Sequence, residues 1–331
     1  MLVFIKHSMI TNILLVKEAH MYYSVQLAQL ATAACIQEVM ASPKPGLVDK
    51  YNSGAHKDMD FTTFLLSASA LAPFWQRQAN VGLSGISPQK ALPYLRETGR
   101  TMEAAMLEAT NGINTHKGLI FALSLLLYGA GFALHMKVPI TAQSCANFAA
   151  QVVGGCCKKE LESLRTSPPK RPLTHGEKLY LEYGLTGIRG EAEKGFPTVI
   201  NWGLPALKHA LSFGMSMNDS CLYALFRIMR HCEDTNVVSR SSYYFWAHIY
   251  PTYVDKLLRL PIPFSKREKK IIEKIDELFS EKGVSPGGAA DLLSCTVFLY
   301  WVEKCYPFSS GHKYLKSRGR LSENLIGEEK F

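Results

Sequence analysis

Between Pro43 and Asp60 the chain reads Pro-Lys-Pro-Gly-Leu-Val-Asp-Lys-Tyr-Asn-Ser-Gly-Ala-His-Lys-Asp-Met-Asp. Two prolines, two glycines, three aspartates, three lysines and a histidine are more than a linker needs. They suit a site for an anionic ligand, with or without a metal ion. His56, Asp58 and Asp60 share parity, so in an extended segment they face one side, fit to hold a metal or to take a proton from a hydroxyl. Lys44 and Lys50 are placed to meet phosphate, and Pro43, Pro45 and Gly46 stiffen the loop or simply end a helix. Asp60 is equally suited to cap a helix beginning at Phe61.

Four further polar islands interrupt apolar stretches. Asn114-Thr-His-Lys-Gly118 opens the most apolar run. Free amides at a helix start bind anions. Lys117 adds a full positive charge where the macrodipole disfavours one, which favours a phosphate role. His116 is a candidate acid, whereas capping alone accounts for Asn114 or Thr115. In Tyr183-Gly-Leu-Thr-Gly-Ile-Arg-Gly-Glu-Ala-Glu193, three glycines around Arg189 predict a loop that presents its guanidinium to an anion. Glu191 and Glu193 are metal ligands or the acidic first turn of a helix. In Glu233-Asp-Thr-Asn236, followed by Arg240, Asp234 and Asn236 offer oxygens to Mg²⁺ or ribose, or form an Asx turn. Ser285-Pro-Gly-Gly-Ala-Ala-Asp291 sets two glycines before a helix, where phosphate can approach the backbone. Asp291 is then a metal ligand or a dipole-compensating residue. Together the islands describe a polyphosphate nucleotide held by amides, Lys and Arg, with Mg²⁺ bridging to carboxylates. Neither G-x-x-x-x-G-K-[ST] nor G-x-G-x-x-G occurs, nor a His-Asp dipeptide of the helical phosphohydrolase type.

The elements that must position these islands are helices. Leu27, Leu30, Ala31, Ala34 and Cys35 fall at i, i+3, i+4, i+7, i+8. Leu222, Leu225, Phe226 and Met229 repeat that spacing, and Ile271, Ile272, Ile275, Leu278 and Phe279 give a third stripe. Further helices are expected near 61–76, 89–110, 115–134, 140–164, 197–213, 241–259 and 288–304. Alternating strand patterns are nearly absent. The fold class is therefore all-α, a single globular bundle of about ten helices with polar loops converging on one cleft. Residues 21–308 form the expected catalytic domain, with a surface loop at Ser167-Pro-Pro-Lys-Arg-Pro172. Residues 1–20 read as an N-terminal extension and 309–331 as a polar, basic tail.

The bulk numbers narrow the class. Lys and Arg outnumber Asp and Glu by 37 to 28, an excess that suits a small anionic ligand. No basic stripe with interleaved aromatics points to nucleic acid. The apolar run from Leu119 to Leu134 contains Gly129 and Gly131 and is short for a membrane span, so a buried core helix is expected. Eight cysteines form no C-x-x-C and sit mostly in apolar helical runs. They point to free thiols in a reducing cytoplasm.

These islands resemble those of the CitG/MdcB family, the triphosphoribosyl-dephospho-CoA synthases. The resemblance is carried by Pro43–Asp49, Gly54–Asp60, Asn114–Gly118, Gly184–Glu193, Asp234-Thr-Asn236, and Ser285–Gly288 with Ala290-Asp291, in order over about residues 22 to 304. One departure is Arg240-Ser241-Ser242, where the family usually has Arg-Gly-Gly. The resemblance implies a pentosyltransferase that moves the 5-triphosphoribosyl group of ATP to the 2′-hydroxyl of 3′-dephospho-CoA and releases adenine. It implies inversion at the anomeric carbon and an oxocarbenium-like transition state. The product is the prosthetic-group precursor of citrate lyase or malonate decarboxylase, passed to a holo-acyl-carrier-protein transferase. Asp58 or Asp60 is then the base or oxocarbenium stabiliser, and His116 or His56 the acid for adenine. Lys44, Gly46, Asp49, Asn114, Thr115, Lys117, Gly118, Arg189, Gly190, Asn236, Arg240, Ser285, Gly287 and Gly288 are expected on the substrates. Glu191, Glu193, Asp234 and Asp291 are expected on Mg²⁺. A nucleotide N-glycosidase and a non-catalytic helical nucleotide-binding protein are the alternatives. The sequence leaves open whether the chain forms a homo-oligomer.

Overall fold

The computed structural model describes residues 2–167 and 169–307, with side chains from residue 18 onward. The tail expected over 309–331 lies outside the described residues. Among the described residues there is no strand, and twelve helices have seven residues or more. In chain order these and two shorter turns are α1 (Leu2–Met40), α2 (Phe61–Leu83), α3 (Pro88–Ala109), α4 (Lys117–His135), α5 (Ala142–Val153), α6 (Ser163–Thr166), α7 (His175–Tyr183), α8 (Gly187–Glu193), α9 (Leu204–Ser212), α10 (Met217–His231), α11 (Thr235–Arg240), α12 (Tyr250–Leu258), α13 (Lys266–Glu281) and α14 (Gly287–Cys305). Helix α1 runs unbroken from Leu2 to Met40. The helix expected over 140–164 breaks at Gly154-Gly155, where Gly155 takes a positive φ.

The apolar run becomes α4, mostly buried at the centre of the bundle against α2, α5, α14 and α3. Its glycines explain the closeness of two crossings. A side chain at Gly131 would collide with the carbonyl of Ala79 on α2, and one at Gly129 with that of Cys145 on α5. Backbones that touch leave no room for water, and the leucines on either side close around them. The stripe from Leu27 to Cys35 faces the same core, as do Leu222, Leu225, Phe226 and Met229 of α10. All eight cysteines are free thiols, six of them buried.

The segment between α1 and α2 has no regular structure, yet it is fixed. The buried Asp49 carboxylate accepts from Ser42 Oγ (2.7 Å), the Lys44 amide, and the Tyr51 and Asn52 amides (2.8 and 3.1 Å). Asp276 of α13 accepts from the Gly46 amide (2.8 Å) and from Asn52 Nδ2 (2.9 Å). Gly46 has φ +71°, and a side chain there would strike the carbonyl of Val284. Only a glycine lets the loop lie this close to the end of α13. The loop thus becomes a rigid wall.

Candidate active site

That wall faces a cleft of about 540 Å³. The N-terminal ends of four helices open on it: Asn114–Gly118 before and in α4, Thr186–Ile188 at α8, Glu233–Asn236 at α11, and Ser285–Gly288 at α14. Four of the five polar islands owe their positions at helix starts to this convergence, which directs several dipoles at one space. Charged side chains do not follow suit. Glu38, Asp58, Glu191, Glu233 and Asp291 line the cleft against Lys44, Lys117, Lys194 and Arg240.

Lys44 is 1% exposed and donates to Glu38 of α1, itself buried. Losing either partner would strand a buried charge, at a cost of about 3–5 kcal/mol. Beside them Asp291 of α14 makes no hydrogen bond or ion pair among the described residues. Burial, then the charges of Glu38 and Asp234, raise its carboxyl well above the usual range. It lies against Gly118, where a side chain would collide with Oδ2.

Three histidines line the cleft, His56, His116 and His231, and the first two sit in different surroundings. His116 is buried beneath the edge of Phe64, with ring centroids 5.1 Å apart. Thr115 Oγ1 donates to Ser67 Oγ (2.7 Å), which leaves the Ser67 hydroxyl to donate to His116 Nδ1 (2.6 Å). The relay places the imidazole proton on Nε2, which is buried and has no partner. Burial, with the charge of Lys44 second, lowers its pKa to about 3, so the ring is neutral. His56 Nε2 lies 2.9 Å from the buried Ser285 Oγ, and Nδ1 lies 3.7 Å from Asp58 Oδ1. Burial and then Arg240 lower its pKa, against the pull of Asp58. Arg240 donates to the carbonyls of Ala55 (2.7 Å) and Gly283 (3.0 Å), tying the loop wall to α11. Ser241 and Ser242 follow Arg240 and bond locally. Ser241 Oγ donates to the Val237 carbonyl, and Ser242 Oγ accepts from the Phe245 amide.

The structure brings His56, Asp58, Lys44, Asn114, Thr115, His116, Lys117, Gly118, Glu191, Asn236, Arg240, Ser285, Gly287, Gly288 and Asp291 to the cleft, and takes seven expected residues away from it. Asp60 caps α2: its Oδ1 accepts from the Thr63 amide and hydroxyl (both 2.8 Å), which lowers its exposed carboxyl. Gly46 and Asp49 shape the loop. Arg189 sits in a helix, not a loop, and turns towards Glu160 (3.6 Å), away from the cleft. That helix forms because Glu233 Oε2 accepts from the Thr186 and Gly187 amides at its start. Gly190 is buried on the same helix, tight against Thr186. Glu193 accepts from the Cys157 amide (3.2 Å). Asp234 is fully buried and caps two helices at once, accepting from Asn236 and Val237 of α11 (3.0 and 3.2 Å) and from Ala289 of α14 (2.9 Å). Burial raises its carboxyl against the pull of these bonds. The Ala289 amide is thus spent on Asp234 and not left for phosphate. Gly287 and Gly288 leave room for Asn236 and Asp234, whose atoms would stand 2.7 and 3.1 Å from added side chains.

Even on the cleft, Glu191 is engaged with the Thr198 amide and hydroxyl (2.7 and 2.9 Å), and burial raises its carboxyl. Lys117 pairs with Glu103, and Asn114 Oδ1 caps the Lys117 amide. Among the described residues no three His, Cys, Asp or Glu side chains form a metal cage.

Several lining residues escaped the sequence reading. Glu38 was within reach of it: position 38 continues the buried stripe from Leu27 to Cys35, and an acid on an apolar stripe needs a partner. Ser67, the relay to His116, carries no such mark. Trp202 lies in a stretch wound with i→i+5 bonds, Val199–Gly203, and stacks on His231 at 3.6 Å and 5°.

Residues 24–310 match the family model described as CitG, ATP:dephospho-CoA triphosphoribosyl transferase. The chain is similar to the 2-(5''-triphosphoribosyl)-3'-dephosphocoenzyme-A synthase of Pectobacterium atrosepticum, 39% identical over 281 residues, covering 84% of this chain and 90% of that one. It is also similar to the probable synthases of the same name from Streptococcus mutans (35% over 290 residues, 84% and 96%) and Vibrio cholerae (36% over 276 residues, 83% and 87%). No solved structure matches.

Proposed function

The chain belongs to the CitG family of ATP:dephospho-CoA triphosphoribosyl transferases, and from that membership we propose how its cleft makes 2-(5''-triphosphoribosyl)-3'-dephospho-CoA. In the transfer the C1′–N bond of ATP breaks, a bond from C1′ to the acceptor hydroxyl oxygen forms, and the hydroxyl's proton is balanced by the one adenine gains. Positive charge develops on the ribose, and a carboxylate-rich lining stabilises it.

His56 is the base. Its lowered pKa keeps it neutral and able to accept the hydroxyl proton, and Asp58 stabilises the imidazolium that results. His116 is too weak a base to arrive protonated. Its Nε2–H instead donates a hydrogen bond to departing adenine, with Trp202 as a stacking platform for the base. Mg²⁺ on a triphosphate needs only one or two protein carboxylates beside phosphate oxygens. The uncompensated Asp291 fits that demand, with Glu191 second. The bound ion would neutralise phosphate charge. Lys117, Arg240 and Asn236 are left to the substrate's anionic and hydroxyl groups. The product goes on to an acyl-carrier-protein transferase, and the free thiols suit a reducing cytoplasm.

The observation that carries this reading is that His56, bracketed by Ser285 and Asp58, shares an acid-lined cleft with the neutral, proton-bearing His116. Incubation with ATP, with and without dephospho-CoA, tests it by chromatography of adenine. The transferase releases adenine only with the acceptor. Release without it marks an N-glycosidase, and none in either case marks a binding protein.

A further inference from the structure

Next to the cleft lies a second cavity of about 700 Å³, sharing Lys117, Gly118, Thr186–Ile188 and Thr235 as a common wall. Its charge is of the other sign. Arg96, Arg100, Arg171, Arg189 and Lys117 face it against two carboxylates, Glu103 and Glu160. Arg96 and Arg189 both turn to Glu160, so one carboxylate serves two guanidiniums. Arg100 has no ion pair among the described residues. Apolar side chains line it beside the arginines: Leu92, Leu95, Phe121, Leu125 and Leu161. Helix α3 supplies both characters from one face, since Leu92, Arg96 and Arg100 follow at steps of four.

We propose that this cavity is the acceptor subsite: the arginines take the pyrophosphate of dephospho-CoA, and the apolar side chains take its long amide–thiol arm. The proposal rests on the transfer reaction above and adds where its second substrate lies. Two phosphate-bearing substrates must be held together, and a cleft of this size suits one ligand. The cationic groups expected on the substrates are split by the structure, with Arg189 in one cavity, Arg240 in the other and Lys117 on the wall between them. Two anion subsites answer to two anions. Guanidinium pairs bind pyrophosphate in a bidentate manner. A triphosphate would engage the arginines but leave the leucines uncovered, whereas the acceptor has a part for each. Across the shared wall its ribose hydroxyl reaches the cleft that holds the ATP ribose.

The test is Arg100→Ala, a substitution at an exposed helical position that favours helix formation. Initial rates of adenine release should show the KM for dephospho-CoA raised about ten-fold or more, the KM for ATP within about two-fold, and partial recovery in Arg100→Lys. Calorimetric titration of dephospho-CoA alone should show the same loss without catalysis. A raised KM for ATP would give the arginines to the triphosphate and overturn the proposal, and so would unchanged constants for both substrates. A wild-type protein that releases no adenine from the pair would instead overturn the reaction. The calorimetric arm would still report on the subsite, because loss of dephospho-CoA binding in Arg100→Ala supports it.

Discussion

The Asp291 carboxylate occupies the space that a side chain on Gly118 would fill, so the start of α4 and the second turn of α14 meet through a glycine and an acid. Gly118 lies inside a helix, where alanine is intrinsically preferred by about 1 kcal/mol. Gly118→Ala should therefore keep or raise the melting temperature while displacing Asp291. A shift of about 1 Å in a positioned group costs on the order of 100-fold in rate. We expect kcat/KM to fall by roughly that factor, and an unaltered rate would show that Asp291 has no part in the reaction.

Asp58 and Asp60 are two residues apart, but Asp58 lines the cleft and Asp60 caps α2. Asp60→Ala should lower unfolding free energy by about 0.5–2 kcal/mol, the usual worth of a cap, and leave kcat within about two-fold. Asp58→Asn should leave stability unchanged and reduce kcat by about 100-fold, with the loss greatest where His56 must carry charge. Denaturant unfolding and adenine release, measured on the same preparations, separate the two. The opposite pattern would return Asp60 to the chemistry.

Stability should follow pH through two buried groups of opposite sign. His116 titrates near 6.5 when unfolded and at about 3 in the fold. Between those values the unfolded chain binds the extra proton. Its contribution is thus present above pH 6.5 and is lost as the pH falls towards 3. Burial raises Asp276 from 3.8 to about 6, so between these values the folded chain binds the proton and acid stabilises. Thermal midpoints between pH 6.5 and 4 should fall less steeply in His116→Asn than in the wild type, and more steeply in Asp276→Asn. Equal slopes in all three would contradict both assignments.

Chelation of divalent ions should abolish adenine release, and added Mg²⁺ should restore it. In Asp291→Asn the Mg²⁺ concentration for half-maximal rate should rise by about ten-fold, since one of few carboxylates within reach of the triphosphate is neutralised. Full activity in excess chelator would remove the ion from the reaction.

The amphipathic helices were legible because their stripes are local. Leu27 to Cys35 and Leu222 to Met229 each declare one face within a dozen residues. Asp60 was legible as either cap or catalyst, because both readings use the same carboxylate at the same place, and the cap's bond to Thr63 is seen only in the fold. Helix α8 was hidden. Its glycines argue against a helix, and the group that starts it, Glu233, lies 47 residues away. The sequence marked the cationic residues as candidates for an anion without saying which share a space. That Arg189 looks into a different cavity from Gly287 depends on how α8 is rotated, which no local pattern encodes.

Asp234 has a consequence for how such a chain can change over generations. One carboxylate closes the starts of α11 and α14, reaching an amide 55 residues along the chain, and Gly288 and Asn236 are shaped around it. A substitution tolerated at one of these positions is tolerated only given the others, so their effects are strongly non-additive. Ser241 and Ser242 bond only within their own turn, so substitutions there should act independently of the junction. At the junction behind the cleft several residues must change together or none.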